Sequence, residues 1–596
     1  MVRLFMKNGS GIKTSRDTSV CHCLRKSQAR LNLEDGTACR KPLPCRKAAS
    51  SVMSDDAATF FMASSGTRSM TLWSVLLVCF LVMLAGCRRE QAADEDLDTA
   101  ESGAEWRANE FAFAVDNLQR LEQFSGGEMR QQMIDRLNQW VQREKPPAEW
   151  KVDPLVVKLP KPLAERPELR ALDEMVFSPY DGFALQEAVW LRDVSNWTRG
   201  KDADPLAQAQ NMFDWVVCNV QLESGTGREA DRVPQFPWET LLWGRGTATD
   251  RAWVFLLMLR QQGIDAAILS LPDAKEADGE RLDPWAVGAW IDKQLYLFDP
   301  SLGLPIPGPG GAKYEDGRLV IRPATLSEVA EKPALLRALD VPEHPYPVDA
   351  KRLAGVVALV EASPSYLEAR MRLVESRLVG PRQAVLTTRP SEMVERLKDA
   401  SHLAGRRLWL WPYELLALRE RPSEAQKKQL AWRMAPLLVH RNTPLWKGRV
   451  LHLKGKFAEQ RGAMAYYQAA RPSRRALATM KRIIAETTDP TEAARLRANL
   501  EAQVRGKGDA TYWIGLVEVA ENRPELAVEY FQPVALIKAW RQGAHYNLGR
   551  VAETLGRPRE AAAIYRTAPS SPDTPGLLLR ARWLEPAREE IRLPGA

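Results

Sequence analysis

Two apolar runs are separated by a glycine-rich turn in Glu239-Thr240-Leu241-Leu242-Trp243-Gly244-Arg245-Gly246-Thr247-Ala248-Thr249-Asp250-Arg251-Ala252. Thr247 or Thr249 can cap a helix that continues through Trp253, Phe255, Leu256, Leu257 and Leu259 and stops at Gly263. Upstream, Pro205–Val217 has helical periodicity and leads into a loop containing Pro234 and Pro237. Downstream, Ala266–Leu271 reads as a strand. A hairpin then pairs Ala286–Ile291 with Gln294–Phe298 about Asp292-Lys293 and closes on Asp299-Pro300. The spacing predicts a compact α+β unit over Pro205–Gly311.

This order of elements resembles the transglutaminase-like, papain-related (cysteine-protease-like) fold. The resemblance rests on Glu239-Thr240-Leu241, the Gly-Arg-Gly turn, Leu259-Arg260-Gln261-Gln262-Gly263-Ile264 and Phe298-Asp299-Pro300. It implies a catalytic Cys at the helix entrance, where the helix dipole favours a thiolate, a His on the hairpin and an Asp that orients it. The position matching the nucleophile is Ala248, and no histidine occurs between Cys87 and His344. Of the three, only Asp299 is present. A degenerate, non-catalytic site is therefore expected, with no cofactor and no metal. Asp299 reads either as a surviving site residue or as a turn-former in Asp-Pro. Asp250 with Glu239 is the one carboxylate pair that could supply other chemistry, although acids near a helix start serve more often as caps. Cys218, in the apolar run Phe213–Cys218, reads as a buried structural thiol. The loop Leu302–Gly311 either lines a cleft or leaves the domain as a linker.

Beyond this unit, 312–347 reads as a linker and 348–444 as a helical region, helical over Val348–Leu378 and with a short strand at Gln383–Thr388. In 445–596 a 34-residue period appears. Tyr512/Tyr546, Gly515/Gly549, Pro524/Pro558, Ala527/Ala561 and Phe531/Tyr565 are all separated by that interval. This resembles the tetratricopeptide repeat, two helices per unit, most clearly over 508–541 and 542–575. Ala463, Tyr467 and Ala470 suggest a further degenerate copy. The resemblance implies a helical solenoid in which small residues let paired helices approach and Phe531 and Tyr565 fill the space between them. Most of the nineteen Trp residues fall at apolar helical positions, as core. Trp409 and Trp411 would point the same way only in an extended segment. Trp243, Trp285, Trp290, Tyr512 and Tyr546 are the candidates for a binding surface.

On the N-terminal side, charge is unevenly placed. Residues 1–69 carry 12 Lys/Arg against 5 Asp/Glu, so seven of the eight net positive charges of the 596-residue chain precede Met70. The remainder is nearly neutral, which argues against nucleic acid as a partner. Residues 1–61 read as a disordered or mis-assigned extension, in which Cys21-His22-Cys23 lacks a second ligand pair for zinc. After Arg68 the chain is uncharged from Met70 to Gly86 and ends Leu84-Ala85-Gly86-Cys87. This resembles a bacterial lipoprotein signal peptide over 62–86, starting at Met62, and implies lipid on Cys87. An uncleaved transmembrane helix also fits the basic tail. Both readings put the rest of the chain outside the cytoplasm, on the periplasmic or exterior face. Five of the seven cysteines precede Cys87, so no disulfide framework is expected. An acidic tether over 87–105 leads to a helical region over 106–204 that ends in a Pro-rich connector.

The sequence thus predicts an envelope protein anchored to the membrane by lipid. Its degenerate α+β domain and mostly α-helical array would present binding surfaces to protein or peptide partners. The competing reading is a cell-wall or peptide amide hydrolase with a non-standard carboxylate site in the same cleft.

Overall fold

The computed structural model describes residues 94–121, 127–223, 233–272, 282–315, 318–440, 442–458 and 460–585. The extension 1–61, the segment 62–86 with its apolar run 70–86, and Cys87 lie outside the described residues. Among the described residues no helix is long and apolar enough to cross a membrane. The acidic stretch read as a tether is helical from Asp94, in α1 (Asp94–Gln119).

From Ser102 onward the chain forms one compact body. α1 packs with α2 (Gly127–Trp140) and α3 (Pro179–Thr198) around Val115, Leu118, Met133, Leu137 and Leu185. Next come α4 (Pro205–Asn219), α5 (Pro237–Trp243) and α6 (Ala248–Gln261). α6 is apolar on every side from Ala252 to Leu259, and all of that run is buried. A helix hydrophobic all round belongs at the centre of a domain, and α6 lies against a six-stranded sheet.

The sheet runs β10 (Gly405–Leu408), β9 (Val357–Val360), β3, β4, β5 and β6 (Leu304–Pro305), the three central strands being described next. β3 (Asp265–Pro272), β4 (Leu282–Ile291) and β5 (Gln294–Asp299) are antiparallel, with Val287 opposite Phe298 and Ile291 opposite Gln294. Asp292 and Lys293 both have positive φ, 48° and 61°, as a tight two-residue hairpin turn requires. Side chains alternate between two cores. Ile268, Val287, Ala289 and Phe298 face α4 and α6. Ala267, Leu269, Leu295 and Leu297 face a second layer. β1 (Gln221–Leu222) and β2 (Arg245–Gly246) form a separate parallel pair.

That second layer corrects the expected linker over 312–347. β7 (Pro307–Glu315) and β8 (Arg318–Pro323) form a hairpin, followed by α7 (Leu326–Glu331). Leu326, Val329, Leu336, Leu339 and Tyr346 cover the sheet. Their apolar spacing is diluted by charged residues, which hid it. Leu302–Gly311 likewise forms sheet, with β6 (Leu304–Pro305) on β5 and Leu304 and Ile306 buried.

The region read as helical over Val348–Leu378 contains β9 (Val357–Val360) before α8 (Ala369–Arg377), and β10 (Gly405–Leu408) pairs parallel to β9. The α+β domain therefore extends well past Gly311. Val356–Val360 is a short continuous apolar run, which periodicity alone does not separate from buried helix. Gln383–Thr388, expected as a strand, pairs with none. Glu375 Oε2 accepts from the Leu386 and Thr387 N–H groups, and Gln261 bonds the Val385 backbone in both directions. Side chains thus satisfy the backbone that a neighbouring strand would otherwise have to.

The remainder is helical: α9 (Trp411–Glu420), α10 (Glu424–Leu438), α11 (Pro444–Leu453), α12 (Ala463–Ala469), α13 (Arg474–Glu486), α14 (Pro490–Ala520), α15 (Pro524–Val534), α16 (Arg541–Thr554), α17 (Pro558–Thr567) and α18 (Thr574–Leu584). One contact recurs through it. A Cβ added to Gly515 would stand 2.6 Å from Phe531, on Gly549 2.1 Å from Tyr565, and on Gly448 2.6 Å from Tyr467. In each case an aromatic ring from the following helix lies directly on the glycine backbone.

Candidate functional site

The glycine turn that opens the site is set by sterics. Gly244 caps α5 in the left-handed region at φ 63°, and a Cβ there would stand 3.0 Å from the Asn219 carbonyl. At Gly246 a Cβ would meet the Asp250 side chain at 2.7 Å. Thr247 is the N-cap. Its Oγ1 accepts from the Asp250 N–H at 3.0 Å, and Asp250 Oδ2 accepts from the Thr247 N–H at 2.7 Å. The turn delivers Ala248 and Thr249, both half-buried, to the join of two cavities. One is a groove of about 850 Å³ and the other a pocket of about 300 Å³, and both are lined by Ala248, Thr249 and Pro284.

In the smaller pocket lies Asp299, 1% exposed. Its Oδ1 accepts from Ser301 N–H at 2.8 Å, Ser301 Oγ at 2.6 Å and Leu302 N–H at 3.0 Å, and its Oδ2 accepts from Tyr346 Oη at 2.6 Å. The Trp285 indole N–H donates to the Tyr346 oxygen at 2.6 Å. Burial pushes the Asp299 carboxyl above the usual range, against the hydrogen bonds from Ser301 and Tyr346. Burial also raises the Tyr346 hydroxyl well above its ordinary value, and the Asp299 charge adds to the effect. Tyr346 therefore holds its proton and is no base at neutral pH.

The larger groove has a second wall that follows β10. Arg407, Leu408, Trp409, Leu410 and Trp411 line it, with Glu414 and Leu418 from α9. Trp409 meets Trp253 of α6 edge to face, 5.2 Å between centroids. The adjacent pair Trp409 and Trp411 was visible in the sequence as an unsettled feature. β10, which places it, was not. Tyr346 was missed because it lies in the presumed linker.

The carboxylate pair does not assemble. Asp250 is the capping residue described above. Glu239 is absent from both cavity walls. It caps the Phe236 N–H at 2.9 Å and takes a two-pronged bond from Arg419 at 2.9 and 2.7 Å. Cys218 also lies away from both cavities, and burial, with the Asp214 charge, pushes its thiol up to about 12. Such a thiol is not a nucleophile at neutral pH. Of the candidate binding surface, only Trp285 lines either of these two cavities. Trp243 is buried beneath Arg433, and Trp290 is half-buried against the second core.

Tyr512 and Tyr546 are buried where the C-terminal helices meet the α/β unit. Tyr512 Oη and Asn547 Nδ2 donate to the Cys218 carbonyl, Gln221 bonds the Ala539 carbonyl and the Gly543 N–H, and Arg550 pairs with Asp214. Arg251 of α6 reaches Val220 O at 2.6 Å, Pro300 O at 3.1 Å and Asp573 Oδ1 at 3.1 Å. The repeat-bearing helices spend this face on their own domain: Tyr512 and Asn547 donate to the Cys218 carbonyl in the last turn of α4, and Arg550 meets the Asp214 carboxylate.

Comparison with known families matches residues 192–300 to the transglutaminase-like superfamily. The match begins within α3 and ends at Pro300, immediately after β5. A transglutaminase-like domain is thus present, while β9, β10 and the Trp409–Trp411 wall lie beyond the matched span. Comparison with curated proteins and with solved structures finds no match.

Proposed function

We propose that this protein is a non-enzymatic binding module whose cleft, centred on the entrance to α6, holds a peptide or protein segment. One observation carries the reading. At the helix entrance, where the family's chemistry needs a thiolate, both cavities meet the methyl group of Ala248, and the residues lining them include no imidazole. Asp299, whose counterpart would orient that imidazole, has its oxygens taken up by Ser301, Leu302 and Tyr346. The hydrolase reading loses support, because Asp250 and Glu239 are engaged separately as caps and an ion-pair partner.

The tetratricopeptide-like helices act in this proposal as a buttress rather than a receptor, because Tyr512 and Tyr546 are buried against α4 and β1. Anchoring through lipid on Cys87, with the body on the outer side of a membrane, completes it. The intact mass of membrane-extracted protein tests the anchor: a mass that starts at Cys87 with acyl chains added supports it, and an unmodified N-terminus refutes it. Incubating the full chain with a peptide mixture and following cleavage or cross-linking by mass spectrometry tests the chemistry. Turnover lost on changing Asp250 or Asp299 would overturn the non-enzymatic reading.

A further inference from the structure

The two ends of the sheet are finished differently. At one end β6 is covered, since Ala324 N–H reaches Ile306 O and Leu297 N–H reaches Ala324 O, at 2.6 and 2.9 Å. At the other, β10 is the terminal strand, and no main-chain bond from any described residue reaches its outer edge. An open edge is a template for another strand, and proteins usually guard it with charge. Here the guard is Arg406-Arg407. The two side chains leave opposite faces of the strand. Arg406 bonds the Leu397 and Ala400 carbonyls at 2.6 and 2.8 Å. Arg407 is exposed, lines the 850 Å³ groove, and has no carboxylate or carbonyl partner among the described residues. Free edge, exposed cation and a mostly apolar groove, whose wall also carries the Asp250 and Glu414 carboxylates, thus meet at one four-residue strand.

Resting on the cleft-binding reading above, we propose that the occupant is an extended apolar peptide carrying an acidic residue, which adds to the sheet as a strand beside β10. Its main chain pairs with the open edge, its apolar side chains enter the groove against Trp409, Trp411 and Leu418, and its carboxylate meets Arg407. Four residues of edge span roughly 13 Å, enough for a short motif. The two arginines repel a second copy of the same edge, so the geometry selects an anionic strand over self-association.

The test uses the full chain and two fluorescein-labelled, end-blocked pentapeptides, Val-Leu-Glu-Leu-Val and its Lys-for-Glu counterpart, with anisotropy and hydrogen exchange as readouts. The Glu peptide should bind more tightly and slow exchange at the 405–408 amides. Arg407→Glu should weaken the Glu peptide by about tenfold or more and favour the Lys peptide. Because Arg407 is exposed and has no carboxylate or carbonyl partner among the described residues, the substitution should leave the fold intact, which circular dichroism checks. Binding that ignores Arg407→Glu, or no binding of either peptide, overturns the proposal. Protection confined to 247–250 and 282–286 overturns the edge mode but leaves the cleft reading standing. Cleavage of a peptide that still protects 405–408 does the reverse.

Discussion

Arg251→Ala tests whether the C-terminal helices hold the α/β unit together. The guanidinium is buried and bonds Val220 O, Pro300 O and Asp573 Oδ1 at 2.6, 3.1 and 3.1 Å. Its side chain is 3% exposed and that of Asp573 8%. Removing it strands a buried carboxylate, already pushed above its usual range by burial, together with three carbonyls, those of Val217, Val220 and Pro300. Breaking a buried pair from one side costs about 3–5 kcal/mol, mostly the uncompensated charge. Asp573→Ala leaves a buried guanidinium that keeps its charge, with only carbonyls to accept from it, and should cost a similar amount, about 3–5 kcal/mol. The double variant should then show a coupling of about 1–3 kcal/mol. Urea unfolding followed by tryptophan fluorescence and circular dichroism measures each term where the two transitions coincide. A loss below about 1 kcal/mol for Arg251→Ala would refute the buttress, since a surface pair loses that much.

Further outcomes follow from single contacts. Gly549→Ala places a methyl 2.1 Å from the Tyr565 ring and should lower stability by about 1–3 kcal/mol in the same urea assay. Glu187 accepts from the Trp238 N–H, and burial raises its carboxyl from 4.5 to about 8. A raised folded value means stability is fully present below about pH 4.5 and declines as pH climbs to about 8, by up to ~1.4 kcal/mol per unit. Glu187→Gln should flatten that part of the pH–stability curve; an unchanged slope assigns it to another group. The Cys218 thiol, raised to about 12, should resist alkylation at pH 8 in the native protein and react once urea unfolds it, as peptide mass mapping would report. Ala248→Cys alone should give no measurable amide hydrolysis, because no imidazole lines the cavities; turnover by that variant would show that another base is within reach.

The centre of the fold was legible because its signals are local. The helix from Ala248, the strand Asp265–Pro272 and the hairpin about Asp292-Lys293 are each written in capping, periodicity and turn chemistry. The structure sets Ala248 and Asp299, the ends of two of those elements, in the wall of one pocket. What stayed hidden depends on distant segments. β9 and β10 are strands because β3 offers an edge, and Gln383–Thr388 is not one because Glu375 and Gln261 satisfy its backbone first. Tyr346 looked like linker, yet its hydroxyl completes the shell of Asp299. Trp409 and Trp411 could be placed only once β10 was known to end in the wall of the larger groove. The burial of Tyr512 and Tyr546 was equally invisible, since a repeat pattern specifies how helices pair and not which face they spend on a neighbour.

The Arg251–Asp573 bond spans 322 residues, which bears on synthesis as well as stability. At about 5–20 residues per second, α6 leaves the ribosome roughly 16–65 s before its carboxylate partner exists. During that interval the nascent protein holds a buried-type cation without a counterion, and until β9 and β10 emerge, about halfway through it, a sheet still lacking two strands. A fragment ending at Gly311 is frozen in that unfinished condition, with the β3 edge bare, so its solubility should depend on holdase chaperones.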